Sequence, residues 1–214
     1  MAQATQFVVL NTTKLGDKSI VVHALSRDLG RRSFIASAGR GAALFQPMNI
    51  LDAEVLENRK SELWRIRGVA PAYPLGGIRG NIHKNSITLF LGELLFRSIK
   101  EGAYEEGLYD WCVSRILTLD SMPGNFANFH LLFLLELASV LGFSPSVEDI
   151  LPFAEENASK IPILLQAPVE EFMLVPLSGR ERSEIADSLL RYLSYHLEYP
   201  LNIKSLRVLS ELYR

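Results

Sequence analysis

The spacing of apolar positions changes character near residue 80. Before that point, apolar residues come in short runs or alternate with polar ones. Residues 6–12 form a run around Phe7-Val8-Val9-Leu10, and Lys14-Leu15-Gly16-Asp17-Lys18 supplies loop chemistry after it. Residues 20–25 are rich in Val and Ile, and Ser26-Arg27-Asp28-Leu29-Gly30 has the composition of a turn. Residues 33–37 set Phe34 and Ala36 against Ile35, and a Gly39-Arg40-Gly41 loop follows. Residues 48–56 alternate loosely, and residues 63–69 set Leu63, Arg65 and Arg67 against Trp64 and Ile66. The pattern predicts about five short strands with no helix among them. Five strands in about 70 residues are the size of a small closed barrel; an OB-fold is the commonest nucleic-acid-binding solution of that size, and an SH3-like barrel would show a similar pattern.

Residues 71–81 hold two prolines and three glycines, which predicts a joint without regular structure. Beyond it the period becomes helical. Ile87, Phe90, Leu91, Leu94, Leu95 and Ile99 mark one helix, stopped at Gly102. Leu108, Trp111, Cys112, Ile116 and Leu119 mark a second, ended before Pro123. Residues 125–141 are apolar on nearly every side, the pattern of a central bundle helix, closed by Gly142. The proline-rich residues 144–177 predict irregular chain. Ser178 and Glu181 have capping-box spacing ahead of Ile185, Leu189, Tyr192, Leu193 and His196. After Pro200, Leu206, Leu209 and Tyr213 mark a last short helix. The expected fold class is α+β in two domains: an OB-fold β-barrel over residues 1–80, then an all-α helical domain over residues 81–214.

Charge sharpens this division. The formal net charge of −2 is the sum of +5 over residues 1–80 and −7 over residues 81–214. A basic domain gains by displacing counterions from a polyanion, so the barrel is the half expected to meet nucleic acid. Neither the first residues nor the apolar stretch 130–143 has the length of a signal core or a membrane span, and the single cysteine forms no intrachain disulfide. The expected location is the cytoplasm, where thiols stay reduced.

Catalytic and cofactor signatures do not emerge. His23, His83, His130 and His196 are scattered, and Cys112 is alone, so no thiolate zinc site forms and no metal or other cofactor is expected. His130 and Cys112 fall on apolar helical positions, where packing is the simpler role. No phosphate-binding glycine loop, dinucleotide fingerprint or nucleophile elbow is present. Adjacent carboxylates such as Glu105-Glu106 and Glu170-Glu171 diverge on a helix and suit a solvated surface. The chain is therefore expected not to be an enzyme.

The basic residues of the barrel are the better clue. Lys14 and Lys18 bracket the first loop, Arg27, Arg31 and Arg32 cluster at the next turn, and Arg40 sits in the glycine loop. Single-strand binders pair such a basic groove with aromatic platforms, for which Phe34 and Phe45 are the nearby candidates. Of the adjacent pair Arg31 and Arg32, at least one should face solvent, because neighbours on a strand point to opposite faces.

The same segments resemble the RecO family, with Bacteroides-group members the nearest in character. The likeness is carried by Val8-Val9-Leu10-Asn11-Thr12, Leu15-Gly16-Asp17-Lys18, Ser26-Arg27-Asp28-Leu29-Gly30-Arg31 and Gln46-Pro47-Met48-Asn49. Farther on it is carried by residues 86–93, residues 125–133, Leu141-Gly142-Phe143 and Lys204-Ser205-Leu206. The resemblance implies a recombination mediator in DNA repair that binds and anneals single-stranded DNA. It implies partnership with RecR and RecF in loading RecA onto strands coated by single-strand-binding protein, and binding to that protein's acidic C-terminal tail. A tail site needs an apolar pocket rimmed by cations, for which Leu94, Phe96, Arg97, Lys100, Trp111, Arg115 and Arg191 are the candidates. Two departures are visible. The four-cysteine zinc site of some members is impossible here, and the loop before the Gln-Pro pair is short, with Arg40 its one charge. A barrel serving only as a protein-interaction scaffold, or an enzyme with a dispersed helical site, are the competing expectations.

Overall fold

The alternation in the first third resolves into five strands: β1 (Ala2–Leu15), β2 (Ser19–Ser26), β3 (Gly30–Ser37), β4 (Ile50–Leu56) and β5 (Trp64–Pro71). The computed structural model describes residues 2–58, 61, 63–154 and 156–213; the side chain of Arg40 lies outside the described residues. The strands close into a barrel in the order β1-β2-β3-β5-β4, with β4 returning to β1. Every pairing is antiparallel except β3 with β5, which meet in parallel through Phe34↔Trp64 and Ile35↔Arg65. This is the OB-fold arrangement expected from the sequence. The first strand is long enough to serve two neighbours, Ala2 to Val8 pairing with β4 and Phe7 to Leu15 with β2. A register shift between Val9 and Asn11 bends it around the barrel.

Period-2 alternation fills the interior with Phe7, Val9, Val22, Ala24, Phe34, Ala36, Leu51, Ala53, Val55 and Ile66. Phe34 and Phe45, the expected stacking platforms, are both buried in this core, with Phe7 and Phe34 rings 5.7 Å apart. Packing wins over base stacking because each ring removes a large apolar area from water, worth about 2 kcal/mol or more. The glycine loop at 39–41 leads into a 3-10 turn, Arg40–Leu44, that delivers Phe45 to the barrel interior.

Nine α-helices follow among the described residues: α1 (Gly76–Arg79), α2 (Ile82–Ser98), α3 (Leu108–Ser121), α4 (Phe129–Val140), α5 (Val147–Ile150), α6 (Ile161–Gln166), α7 (Val169–Leu174), α8 (Gly179–Leu197) and α9 (Ser205–Leu212). The single turn α1 interrupts a stretch expected to be irregular. Helix α2 starts five residues before its first apolar marker, because Asn81 Oδ1 accepts from the His83 and Lys84 backbone amides. Residues 144–177 are likewise not irregular but carry three short helices. Their prolines fall where a missing N–H costs little: Pro162 in the first turn of α6 and Pro168 at the cap of α7. The Ser178–Glu181 capping box forms as expected at the start of α8, and Ser146–Asp149 makes a second one at α5.

Contacts divide the chain into two bodies, Met1–Gly76 with Leu91–Thr118, and Gly77–Phe90 with Leu119–Arg214. The grouping departs from a boundary after residue 80: residues 91–118 belong with the barrel, because their side chains and backbone bond to its strands. In the second body α4 is buried along nearly its whole length and packs on the amphipathic α8. Asn128 ties α4 to α7 by donating to the Phe172 and Val175 carbonyls at 3.1 and 2.9 Å.

Candidate nucleic-acid interface

OB-fold barrels take oligonucleotides on the outer face of the second and third strands and on the loops flanking it. Here part of that face is occupied by the protein itself. Arg31 N donates to Ala103 O at 2.9 Å and Gly102 N to Arg31 O at 2.8 Å, so residues 102–103 lie along the start of β3 like an added strand. Gly30 makes this approach possible: its φ is +64°, and a Cβ there would sit 2.2 Å from the Ala103 carbonyl oxygen.

The side chains seal the same region. Arg31 is 4% exposed, and its Nη1 donates to Glu101 Oε2 at 2.5 Å. Ser33 Oγ donates to that oxygen at 3.0 Å. The Arg31 guanidinium and the His23 ring both lie against Phe96, 4.9 and 4.8 Å from its centroid. His23 bonds Ser33 Oγ and Thr13 Oγ1 through its two nitrogens. Burial, then the charge of Arg31, holds the His23 pKa below its usual value, with Glu101 opposing.

The six basic positions expected to form one surface therefore separate. Lys14 and Lys18 are exposed on the β1–β2 hairpin and form no ion pair among the described residues. Arg27 is exposed at the other end of β2, roughly 25 Å away at about 3.3 Å per residue. Its guanidinium lies 5.2 Å from the Tyr109 ring, and Tyr109 Oη donates to Gln6 Oε1. Arg32 is half-buried over the Trp64 ring at 4.9 Å. Arg31 is turned into the protein and is unavailable to phosphate, which corrects the expectation that it faces DNA; its neighbour Arg32 is the more open of the two. For Arg40 only the backbone is described.

One cation escaped the sequence reading. Arg65 is exposed on β5, beside Ile35 in the parallel register, and forms no ion pair among the described residues. The alternation of Arg65 and Arg67 against Trp64 and Ile66 was the signal that could have found it. Arg67 differs, because Glu54 Oε2 takes its Nε at 2.8 Å. The β1–β4 side is acidic: a shallow groove of about 510 Å³ there is lined by Thr5, Gln6, Arg27, Asp28, Asp52 and Glu54.

Of the positions expected to receive an acidic tail, Leu94 is fully buried and lines no surface, a correction that follows from the apolar face of α2 turning inward. Arg97 and Lys100 are exposed, with the Arg97 guanidinium 5.6 Å from the Phe96 ring. Trp111 and Arg115 are half-buried. Arg191 belongs to the second body, where Asp187 lies 3.4 Å from it. The second body also has a groove of about 600 Å³ between α8 and α9, floored by Ile203 and Leu206 and rimmed by Glu156, Glu184, Asp187 and Arg191. Its charges answer one another: Arg180 bridges Glu156 and Glu184, and bonding to Arg180 and Asn157 holds the Glu184 carboxyl below the usual range. Cys112 is buried, and burial pushes its thiol pKa up, away from reactivity. No helix among the described residues is long and apolar enough to cross a membrane.

Comparison with known proteins bears on the whole chain. Residues 1–74 match the family description "Recombination protein O N terminal", and residues 79–150 match "Recombination protein O C terminal". A protein of Phocaeicola vulgatus named DNA repair protein RecO is 31% identical, with all of both chains covered. Proteins of the same name are 29% identical in Bacteroides fragilis, over all of both chains, and 27% in Flavobacterium psychrophilum, over 98% of each.

Proposed function

This chain belongs to the RecO family of DNA repair proteins, and on that premise we propose that it acts by binding single-stranded DNA on its barrel, without a reaction of its own. The observation that supports this best is the OB strand order combined with the exposed Lys14 and Lys18 on the β1–β2 hairpin, which form no ion pair among the described residues although Asp17 lies between them. Arg27 and Arg32 are carried into the proposal, and Arg31 is left out. Phosphate contacts of this kind hold any sequence, which suits a mediator that anneals strands and helps load RecA with RecR and RecF in the bacterial cytoplasm, at the nucleoid.

The test is a titration of labelled single-stranded oligonucleotides at several salt concentrations. Affinity should fall with salt, with a log–log slope of about −0.7 for each phosphate neutralised, and should depend little on sequence. Absence of binding at low salt removes this function and favours a protein-interaction scaffold.

The acidic tail of single-strand-binding protein is the second partner we propose, at the exposed Arg97 near the end of α2 and Lys100 just after it, with the Phe96 ring 5.6 Å from the Arg97 guanidinium. A synthetic tail peptide should bind the wild type and lose affinity on the double change Arg97→Glu with Lys100→Glu. Binding unaffected by the double change excludes this surface.

A further inference from the structure

We propose that a single-stranded nucleic acid crosses the barrel on its β3–β5 side, over Ile35 and Arg65, and not over the middle of the β2–β3 face. The inference rests on the barrel being the DNA-binding body and specifies which surface does the binding.

Three observations lead to it. The first is obstruction. Outward positions His23, Arg31 and Ser33 are closed off by Phe96, Glu101 and the 102–103 backbone, and the contact is built from two backbone hydrogen bonds and an ion pair. A nucleic acid strand reaches these positions only by breaking both backbone bonds and the Arg31–Glu101 pair. The second is continuity of open surface. Ser37 is exposed at the end of β3 and pairs with Ser19, and Lys18 O accepts from Ala38 N at 3.0 Å. Ile35 points outward on the same strand, because Phe34 and Ala36 point into the core, and its partner across the parallel register is Arg65. From Lys18 past Ser37 and Ile35 to Arg65 the surface spans roughly 12 Å, taking strands about 4.8 Å apart and a rise of about 3.3 Å per residue. That is room for a few nucleotides.

The third is charge. Lys18 and Arg65 sit at the two ends of this path, and neither has an ion-pair partner among the described residues. Around the barrel, beyond Arg67, the outward residues of β4 are Asp52 and Glu54, and Glu54 already neutralises Arg67. A polyanion is attracted on one side and repelled on the other. The path offers aliphatic contacts, from Ile35 and the 45%-exposed Leu15, so attachment runs through phosphate and sugar rather than aromatic stacking.

The experiment has two arms on the full chain, both preceded by the wild-type titration. Arg65→Ala and Lys18→Ala should each lower the salt slope by about 0.7, while Arg67→Ala leaves it unchanged. For the second arm, Ser37→Cys and Asp52→Cys are each labelled with a photo-cross-linker, the native Cys112 being fully buried. Position 37 should cross-link a bound oligonucleotide and position 52 should not. If the wild type binds but Arg65→Ala keeps the full slope and cross-links form from position 52, the strand runs elsewhere on the barrel and the path is wrong. If the wild type fails to bind at all, the failure lies in the underlying function and takes the path with it.

Discussion

Arg31 and Glu101, 70 positions apart, meet through Nη1 and Oε2 at 2.5 Å, with the guanidinium 4% exposed and the carboxylate 47% exposed. The asymmetry decides what each does. The arginine carries most of the desolvation, and the glutamate is its charge partner at the edge of solvent.

Removing the partner should therefore cost more than a surface ion pair. Glu101→Ala leaves a buried guanidinium uncompensated and is expected to lower stability by about 2 kcal/mol, less than a fully buried pair because one side is wet. Urea denaturation measures it. In the folded fraction, DNA affinity should be unchanged; a tenfold gain in a fully folded variant, from loss of the carboxylate and release of Arg31, would show that this region touches DNA after all.

Gly30→Ala should be more damaging still. The position has φ +64°, and the new methyl would collide with the Ala103 carbonyl oxygen, which is backbone and cannot swing away. The expected loss is at least about 2 kcal/mol. A melting temperature within a degree of wild type would mean that residues 102–103 do not lie on β3 in solution.

His130 makes stability depend on pH. It is 2% exposed, and burial, helped by the charge of Arg182, pushes its pKa down to about 3. The unfolded chain, with an ordinary value near 6.5, binds a proton that the folded chain refuses. Stability contributed by the neutral ring is thus whole above about pH 6.5 and falls as pH drops towards 3, by up to about 1.4 kcal/mol per pH unit. Comparing denaturation midpoints of wild type and His130→Gln between pH 7 and 4.5 tests this. The variant should lose less stability on acidification, and parallel curves would refute the buried neutral ring.

Lys84 serves as a cap delivered from another helix. It is 3% exposed, and its Nζ donates to the Asp120 and Met122 carbonyls at 2.9 and 2.6 Å, at the end of α3. Lys84→Met keeps the stem's packing but strips both carbonyls of their donor, for an expected loss of about 2 kcal/mol. Hydrogen exchange should show the last turn of α3 opening first; unchanged protection there would reject the capping role.

Much of this protein is local information, and that part was legible in sequence. Period-2 runs marked out the strands of a barrel, although Phe34, expected as a stacking platform, proved to lie inside it, and the all-apolar stretch around Phe133 marked a central helix, because each pattern reports burial of one face or of all faces. The Ser178–Glu181 cap was readable for the same reason: its partners are three residues apart. Even the helices among the prolines of residues 144–177 had a local signal, in prolines placed at first turns.

What only the tertiary structure decided is who covers whom. Adjacent Arg31 and Arg32 had to face opposite ways, but alternation alone treats the outside of a barrel as solvent. Phe96 and Glu101 arrive from the far end of α2 to cover it, so Arg31 becomes a structural residue. Strand order was equally non-local: the parallel β3–β5 pairing, which distinguishes this barrel from an SH3-like one and sets Arg65 beside Ile35, joins segments 30 residues apart. Neither contact leaves a periodic trace, because a pairing between distant segments is selected by the fit of whole surfaces rather than by the spacing of residues along either one.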